Sequence, residues 1–193
     1  MREAPSSSGR KRADARRNHD RLVAAASAVI AESGAEASLE QIARRAGVGS
    51  ATVHRHFPTR AELLEVVLHD RVRALCARAD ELLTEPNAGA ALTNWLRAVV
   101  AHAATVRGLG PALTGYEPAP EFSPHTMITE SARQLLTRAQ QEGSVAPTIA
   151  VDDLLQLAHG IALATDSLPA PAQRADTLIA LVATGLLRHA NNE

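Results

Sequence analysis

The sequence predicts an all-α fold, a small three-helix unit followed by a helical bundle, on three observations. Apolar residues recur three and four apart along most of the 193 residues, and no stretch sustains the strict alternation of a strand. Two capping boxes, Ser38 with Gln41 and Thr59 with Glu62, mark helix starts. Between the two boxes Gly47 ends the first helix and Pro58 the one after it, so that 38–57, SLEQIARRAGVGSATVHRHF, becomes two short helices joined by a tight turn.

The elements follow in order. The first helix is expected over Arg17–Ser33, with Leu22, Val23, Ala26, Val29 and Ile30 on one face. Before it, residues 1–16 carry Arg10, Lys11, Arg12 and Arg16 among Ser and Gly. They are expected to form a flexible basic arm, either a solvated tail or an extension lying along a polyanion. The second helix begins at about Leu39, keeps Leu39, Ile42, Ala43 and Ala46 on its apolar side, and ends at Gly47. Val48 covers the junction, and Gly49 or Ser50 caps the third helix. With Val53 and Phe57 on its buried side, Ala51 and Arg55 face outward, flanked by Thr52 and His54. A helix-turn-helix with a small, polar and basic outer face suits the major groove of DNA.

Thr59 and Glu62 open a fourth helix, with Leu64, Leu68, Leu75, Ala79 and Leu82 in helical register until Pro86. At 1.5 Å per residue it is about 36 Å long, enough to leave one domain and enter another. From Asn18 to Asp80 the chain resembles the TetR family of bacterial transcriptional regulators: an opening helix ending in Gly34, then IARRAGVGSATVHRHF, then PTRAELLEVVL. The resemblance implies a DNA-binding domain of three helices, a fourth connecting helix, and an all-helical domain that binds a ligand and dimerises. It implies that Ser50 and Thr52 meet the groove and that His54, His56 and Arg60 contact phosphates. The whole DNA-facing set expected is Ser38, Arg45, Gly49, Ser50, Ala51, Thr52, His54, Arg55, His56, Thr59 and Arg60. His54 stands where the family usually carries Tyr, so a hydroxyl contact becomes an imidazole contact, from a group whose ordinary pKa is about 6.5. Ala51 stands where Gly is frequent.

Charge is divided along the chain. Residues 1–60 carry 11 Lys and Arg against 6 Asp and Glu, and the remainder 9 against 15, which gives the net −1 of the whole. A basic front attracts phosphates, and an acidic rear keeps the rest of the surface off DNA. The single Cys76 excludes an intramolecular disulfide. No secretory signal and no run of about 18 apolar residues is present, so a cytoplasmic protein is expected.

Beyond Pro86 the pattern remains helical. Leu92, Trp95, Leu96, Val99, Ala103 and Val106 mark one helix, closed by GLGP at 108–111. The stretch GYEPAPEFSP, 115–124, is too rich in Pro to be regular. Ser123 and Pro124 then start a helix that carries Met127, Ile128, Ala132, Leu135, Leu136 and Ala139 to Gly143. The last two helices, Val151–Thr165 and Gln173–His189, are apolar around much of their circumference. They are expected to be buried on more than one side, either inside a monomer or, as favoured here, in a four-helix interface between two copies. Its candidate contacts are Leu154, Leu157, Ala158, Ile161, Leu178, Leu181, Val182 and Leu186.

The domains expected are therefore 1–16, basic arm; 17–58, DNA-binding domain; 59–85, connecting helix; and 86–193, ligand-binding and dimerisation domain. A small-molecule pocket would draw on Trp95, Val99, His102, Val106, Leu109, Leu113, Tyr116, Phe122, Met127, Leu135 and His159, each of which also suits a core position. No cofactor or metal is expected, since His54 and His56, two apart on a helix, point different ways. A phosphate loop, GxSxG, HExxH and CxxC are all missing, which argues against an enzyme. The function these features favour is a homodimeric repressor of a palindromic operator, released by a small molecule. A dimeric DNA-binding protein without an effector, and a ligand-binding or catalytic helical protein with an incidental helix-turn-helix, are the alternatives.

Overall fold

The computed structural model describes the backbone of residues 7–33, 37–108 and 123–188, and the side chains of 17–33, 37–106 and 123–185. Among the described residues all regular structure is helical: α1 Ser7–Ser33, α2 Leu39–Ala46, α3 Ser50–His56, α4 Arg60–Leu82, α5 Ala88–Gly108, α6 Pro124–Gln141, α7 Val151–Thr165 and α8 Pro171–Arg188. The chain divides into two compact units between Asp70 and Arg71.

α1 starts at Ser7, not at Arg17. The stretch that composition marks as an arm is helical backbone from Ser7 onward, because RKRADARR, 10–17, consists almost wholly of residues with high helix propensity. Ser and Gly at positions 6–9 suggested a turn, and the run of Arg, Lys and Ala outweighs them. In the first unit α1 packs on α2 and α2 on α3. Leu22, Ala26 and Ile30 of α1, Ile42 and Ala46 of α2, Val53 of α3 and Phe57 are buried. So are Leu63, Leu64, Val67 and Leu68, at the start of α4. The division thus falls inside the helix expected as a separate connector. Its first half belongs to the first unit and its second half, with Leu75, Ala79 and Leu82, to the core of the second.

The second unit is a bundle of the rest of α4 with α5–α8. α5 returns alongside α4, and its register is set by the Trp95 indole N–H, which donates to the Leu75 carbonyl at 3.0 Å with the ring wholly buried. Arg138 of α6 closes the α4–α5 connection. Its guanidinium donates to the carbonyls of Leu82, Leu83 and Glu85, which the helix end leaves without intrahelical partners. Glu142, paired with Arg138 at 3.0 Å, accepts the Ala88 N–H at the start of α5. One ion pair therefore supplies both kinds of group that the turn leaves unpaired. α6 itself begins as the sequence indicates: the Ser123 hydroxyl accepts from Thr126 N–H, Pro124 takes the first helical position, and Gly143 stands past the end at φ +71°. At the start of α7 the Asp153 carboxylate accepts from Ala150 N–H.

Arg138→Met is expected to destabilise the protein by about 1–3 kcal/mol in urea unfolding followed by circular dichroism, because the carbonyls of Leu82, Leu83 and Glu85 lose a charged donor. An unchanged midpoint would show that water serves them equally well.

Candidate nucleic-acid interface

The helix-turn-helix is built from its ends. Ser38 Oγ accepts from Gln41 N–H at 3.2 Å, while Gln41 Oε1 accepts from Ser38 N–H at 2.8 Å. This is the reciprocal box expected from the sequence. At the other end of α2, Gly47 sits at φ +67°, its N–H bonded to Arg44 O and that of Val48 to Ala43 O, a Schellman turn that suits glycine. Arg21 of α1 donates to the Ala46 carbonyl at 3.0 Å and ties the turn to the first helix. Gly49 then caps α3 through its backbone alone: its carbonyl accepts from Thr52 and Val53 N–H, with no side-chain cap.

α3 is held by two anchors. Val53 and Phe57 are fully or nearly fully buried. Ser50, Ala51, His54 and Arg55 are exposed, Gly49 is exposed ahead of them, and Thr52 is half-buried. The outward surface thus offers hydroxyl, imidazole and guanidinium groups around a small Ala51, which lets the backbone approach a groove floor. His56 is half-buried, and its ring lies 6.3 Å from that of His19 on α1 and 6.3 Å from Phe57, so it rests against the first unit. Arg45 is exposed and pairs with both Glu32 carboxylate oxygens at 2.7 Å. Such an exposed pair contributes at most about 1 kcal/mol and can be exchanged for a phosphate. Thr59, exposed, has its hydroxyl accepting from Glu62 N–H at 3.2 Å, which starts α4, and Arg60 is exposed next to it.

Among the described residues, those expected around a pocket are not all gathered into one site. Trp95, Val99 and Leu135 are buried members of the second unit's core, and Val106 and Met127 are half-buried. His159 is exposed on α7, in a surface hollow with His125 and Asp152. Leu109, Leu113, Tyr116 and Phe122 lie outside the described residues. His102 differs from the rest: its Nδ1 is buried without a hydrogen-bond partner. Burial, and next the positive charge of Arg71, hold its pKa below the ordinary imidazole value. Arg71 Nη1 is likewise buried and without a partner, and burial lowers the guanidinium pKa. Arg71 is not among the residues expected at a site from the sequence. It sits in the apolar stripe of α4 between Leu68 and Leu75, where a cation on the inner face is the available signal.

The interface residues expected on α7 and α8 also need correction. Leu154, Ala158 and Ile161 are buried within the protomer, and with Leu157 and Val182 they line a narrow apolar crevice against Leu92 and Leu96 of α5. Leu178 is half-buried against the same core. Leu181 alone is well exposed, at 69 %, and the side chain of Leu186 lies outside the described residues. A helix that is apolar on two sides has two candidate buried faces, and here α5 and α6 cover the one assigned to a second copy. The faces left outward are Gly160, Leu163 and Ala164 on α7 and Ala180, Leu181 and Thr184 on α8. Among the described residues no cluster of His, Cys, Asp or Glu could hold a metal, and no helix is long and apolar enough to cross a membrane.

Comparison with known proteins places this geometry. Residues 22–67 match the family model of bacterial regulatory proteins of the tetR family, and residues 87–188 match that of the SbtR-like transcriptional regulator C-terminal domain. A TetR transcriptional regulator from Streptomyces coelicolor is 33 % identical, with a TM-score of 0.76 over 87 % of this chain and 97 % of its own. A TetR transcription regulatory protein from Mycobacterium vanbaalenii is 32 % identical, with a TM-score of 0.70 over 91 % of this chain and 98 % of its own. The TetR-family regulator PfmR from Thermus thermophilus, 20 % identical with a TM-score of 0.58 over 88 % and 95 %, shares the fold. None of the curated proteins matches the chain. With the helix-turn-helix at one end, the matched C-terminal domain at the other, and two solved relatives covering most of the chain, the protein belongs to the TetR family of transcriptional regulators, DNA-binding proteins rather than enzymes.

Proposed function

We propose that the chain is a homodimeric repressor that binds a palindromic operator and is released by a small molecule. The observation that carries this reading is α3 itself, a helix anchored by Val53 and Phe57 with Ser50, Ala51, His54 and Arg55 turned to solvent. Two such helices would enter successive major grooves about 34–36 Å apart. Thr52 would read a base edge, while Ser38, Arg45, His54, His56, Thr59 and Arg60 would position the helix on phosphates.

Dimerisation is proposed through the outward faces of α7 and α8. Leu163 and Leu181 are 55 % and 69 % exposed, and the small residues Gly160, Ala164, Ala180 and Thr184 around them let two helix pairs approach closely. Exposed leucines in such a setting form an apolar patch that a second copy would cover. Release requires that the effector favour a conformation that binds DNA poorly, and α4, which contributes to both units, is the proposed lever. A tenfold to hundredfold loss of operator affinity corresponds to a coupling of about 1.4–2.7 kcal/mol.

Gel shifts on DNA upstream of the protein's own gene test the DNA-reading set. Thr52→Ala is expected to relax sequence preference at one position, at a cost of about 1 kcal/mol. Arg60→Ala should weaken operator and random DNA alike and lower the salt slope by about one. Binding unchanged by both variants would contradict the assignment. Leu181→Glu should leave a folded protomer, since the side chain is largely in solvent, and sediment as a monomer with reduced operator affinity. A dimer that survives this change would place the interface elsewhere.

A further inference from the structure

The orphaned groups of the second unit lie on α4, α5 and α6. Trp95 and Leu75 set the pairing of these helices. His102 is two turns beyond Trp95 and Arg71 about one turn before Leu75, on the same side of that contact, and the charge of Arg71 acts on the His102 ring. Each presents a buried nitrogen that no protein group accepts from or donates to. Arg71 makes no ion pair among the described residues, while on α6 Glu130 pairs with Arg133 and Glu142, just past its end, with Arg138. On α6, two residues past the Met127 carbonyl that faces the Cys76 thiol, Thr129 Oγ1 is a third buried polar atom without a partner. Val99, Ala103 and Val106 of α5 and Ile128 of α6 supply buried or half-buried apolar surface in the same bundle.

The Arg71 guanidinium is half-buried, its inner nitrogen Nη1 lacks any acceptor, and an anionic ligand could supply the missing counter-charge. The fork of Arg71 suits a carboxylate, which can take two parallel N–H donors. Burial and the nearby guanidinium favour the neutral imidazole of His102, which can still donate one N–H to the same group. Two donors and apolar walls describe an amphipathic monoanion more closely than a sugar, a cation or a polyphosphate.

We propose that Arg71 and His102 form an anion-binding subsite and that the effector of this regulator is a small carboxylate with an apolar body. This rests on the effector-released reading above, and it names the class of the effector. The carboxylate takes the place of the missing counter-ion for Arg71, and its hydrocarbon part lies along the apolar surface of α5 and α6.

Thermal melting of the full chain tests this without DNA. Straight-chain carboxylates from acetate to decanoate, with benzoate and phenylacetate, are each compared with the matching primary alcohol on wild type, Arg71→Met and His102→Phe. One or more carboxylates should raise the wild-type Tm and bind Arg71→Met at least tenfold more weakly, with the matching alcohol without effect. Ligand-free Arg71→Met should melt above wild type, because a buried uncompensated charge is gone; a merely structural arginine would melt lower on removal. The proposal is overturned if no carboxylate of the series shifts wild type, if a carboxylate shifts wild type and Arg71→Met alike, or if Arg71→Met melts lower. An alcohol that stabilises wild type and both variants equally would also overturn the anionic class while leaving an effector-released regulator intact.

Discussion

The register of α5 against α4 is the constraint on which the second unit depends. A single buried donor, the Trp95 indole N–H, reaches the Leu75 carbonyl, and a slip of one residue along either helix would leave that donor unsatisfied in the core. Arg138 and Glu142 hold the same register from the far end by serving the carbonyls that close α4 and the amide that opens α5. With both ends defined, Arg71 and His102 stand within reach of one another's charge, and each keeps a buried nitrogen that the bundle does not itself satisfy. Thr129 Oγ1 on α6 is the other buried polar atom without a partner among the described residues of this unit.

The first unit is organised differently, by caps more than by core size. A helix of eight residues and one of seven are too short to persist alone, and each is defined by the groups that meet its ends. Ser38 and Gln41 start α2, Gly47 and Arg21 end it, and Val53 and Phe57 hold α3 from beneath. The consequence is a rigid outward face made of side chains that have no structural duty, Ser50, Ala51 and Arg55 among them. Groups at the edges serve two roles: Arg45 is paired with Glu32, and Thr59 caps α4. Contacts with DNA there would exchange one partner for another.

Much of this was legible in the chain. Ser38, Gln41 and Gly47 carry local chemistry with one structural solution, and α2 and the turn into α3 form where those signals place them. Periodicity alone served less well. It marked α7 and α8 as helices with more than one buried side but could not distinguish the side facing α5 from the side facing solvent, so Leu154, Ala158 and Ile161 were assigned to the wrong face. It also passed over Arg71, because a charged residue in an apolar stripe reads as an interruption until the neighbouring helix is in place. The start of α1 is hard to read for a simpler reason: Ser and Gly at 7–9 favour a turn, and the Arg- and Ala-rich segment that follows outweighs them.

The proposed anion subsite lies in one unit and the helix proposed to read DNA in the other, and α4 contributes to both. A coupling between them is reciprocal by thermodynamic necessity. Its most direct measurement is the affinity of the most strongly stabilising carboxylate, by calorimetry, with and without saturating operator, beside the operator affinity with and without saturating carboxylate. The two ratios should be equal, and each should show weakening of at least tenfold. A carboxylate that binds equally tightly to free and operator-bound protein would contradict the account.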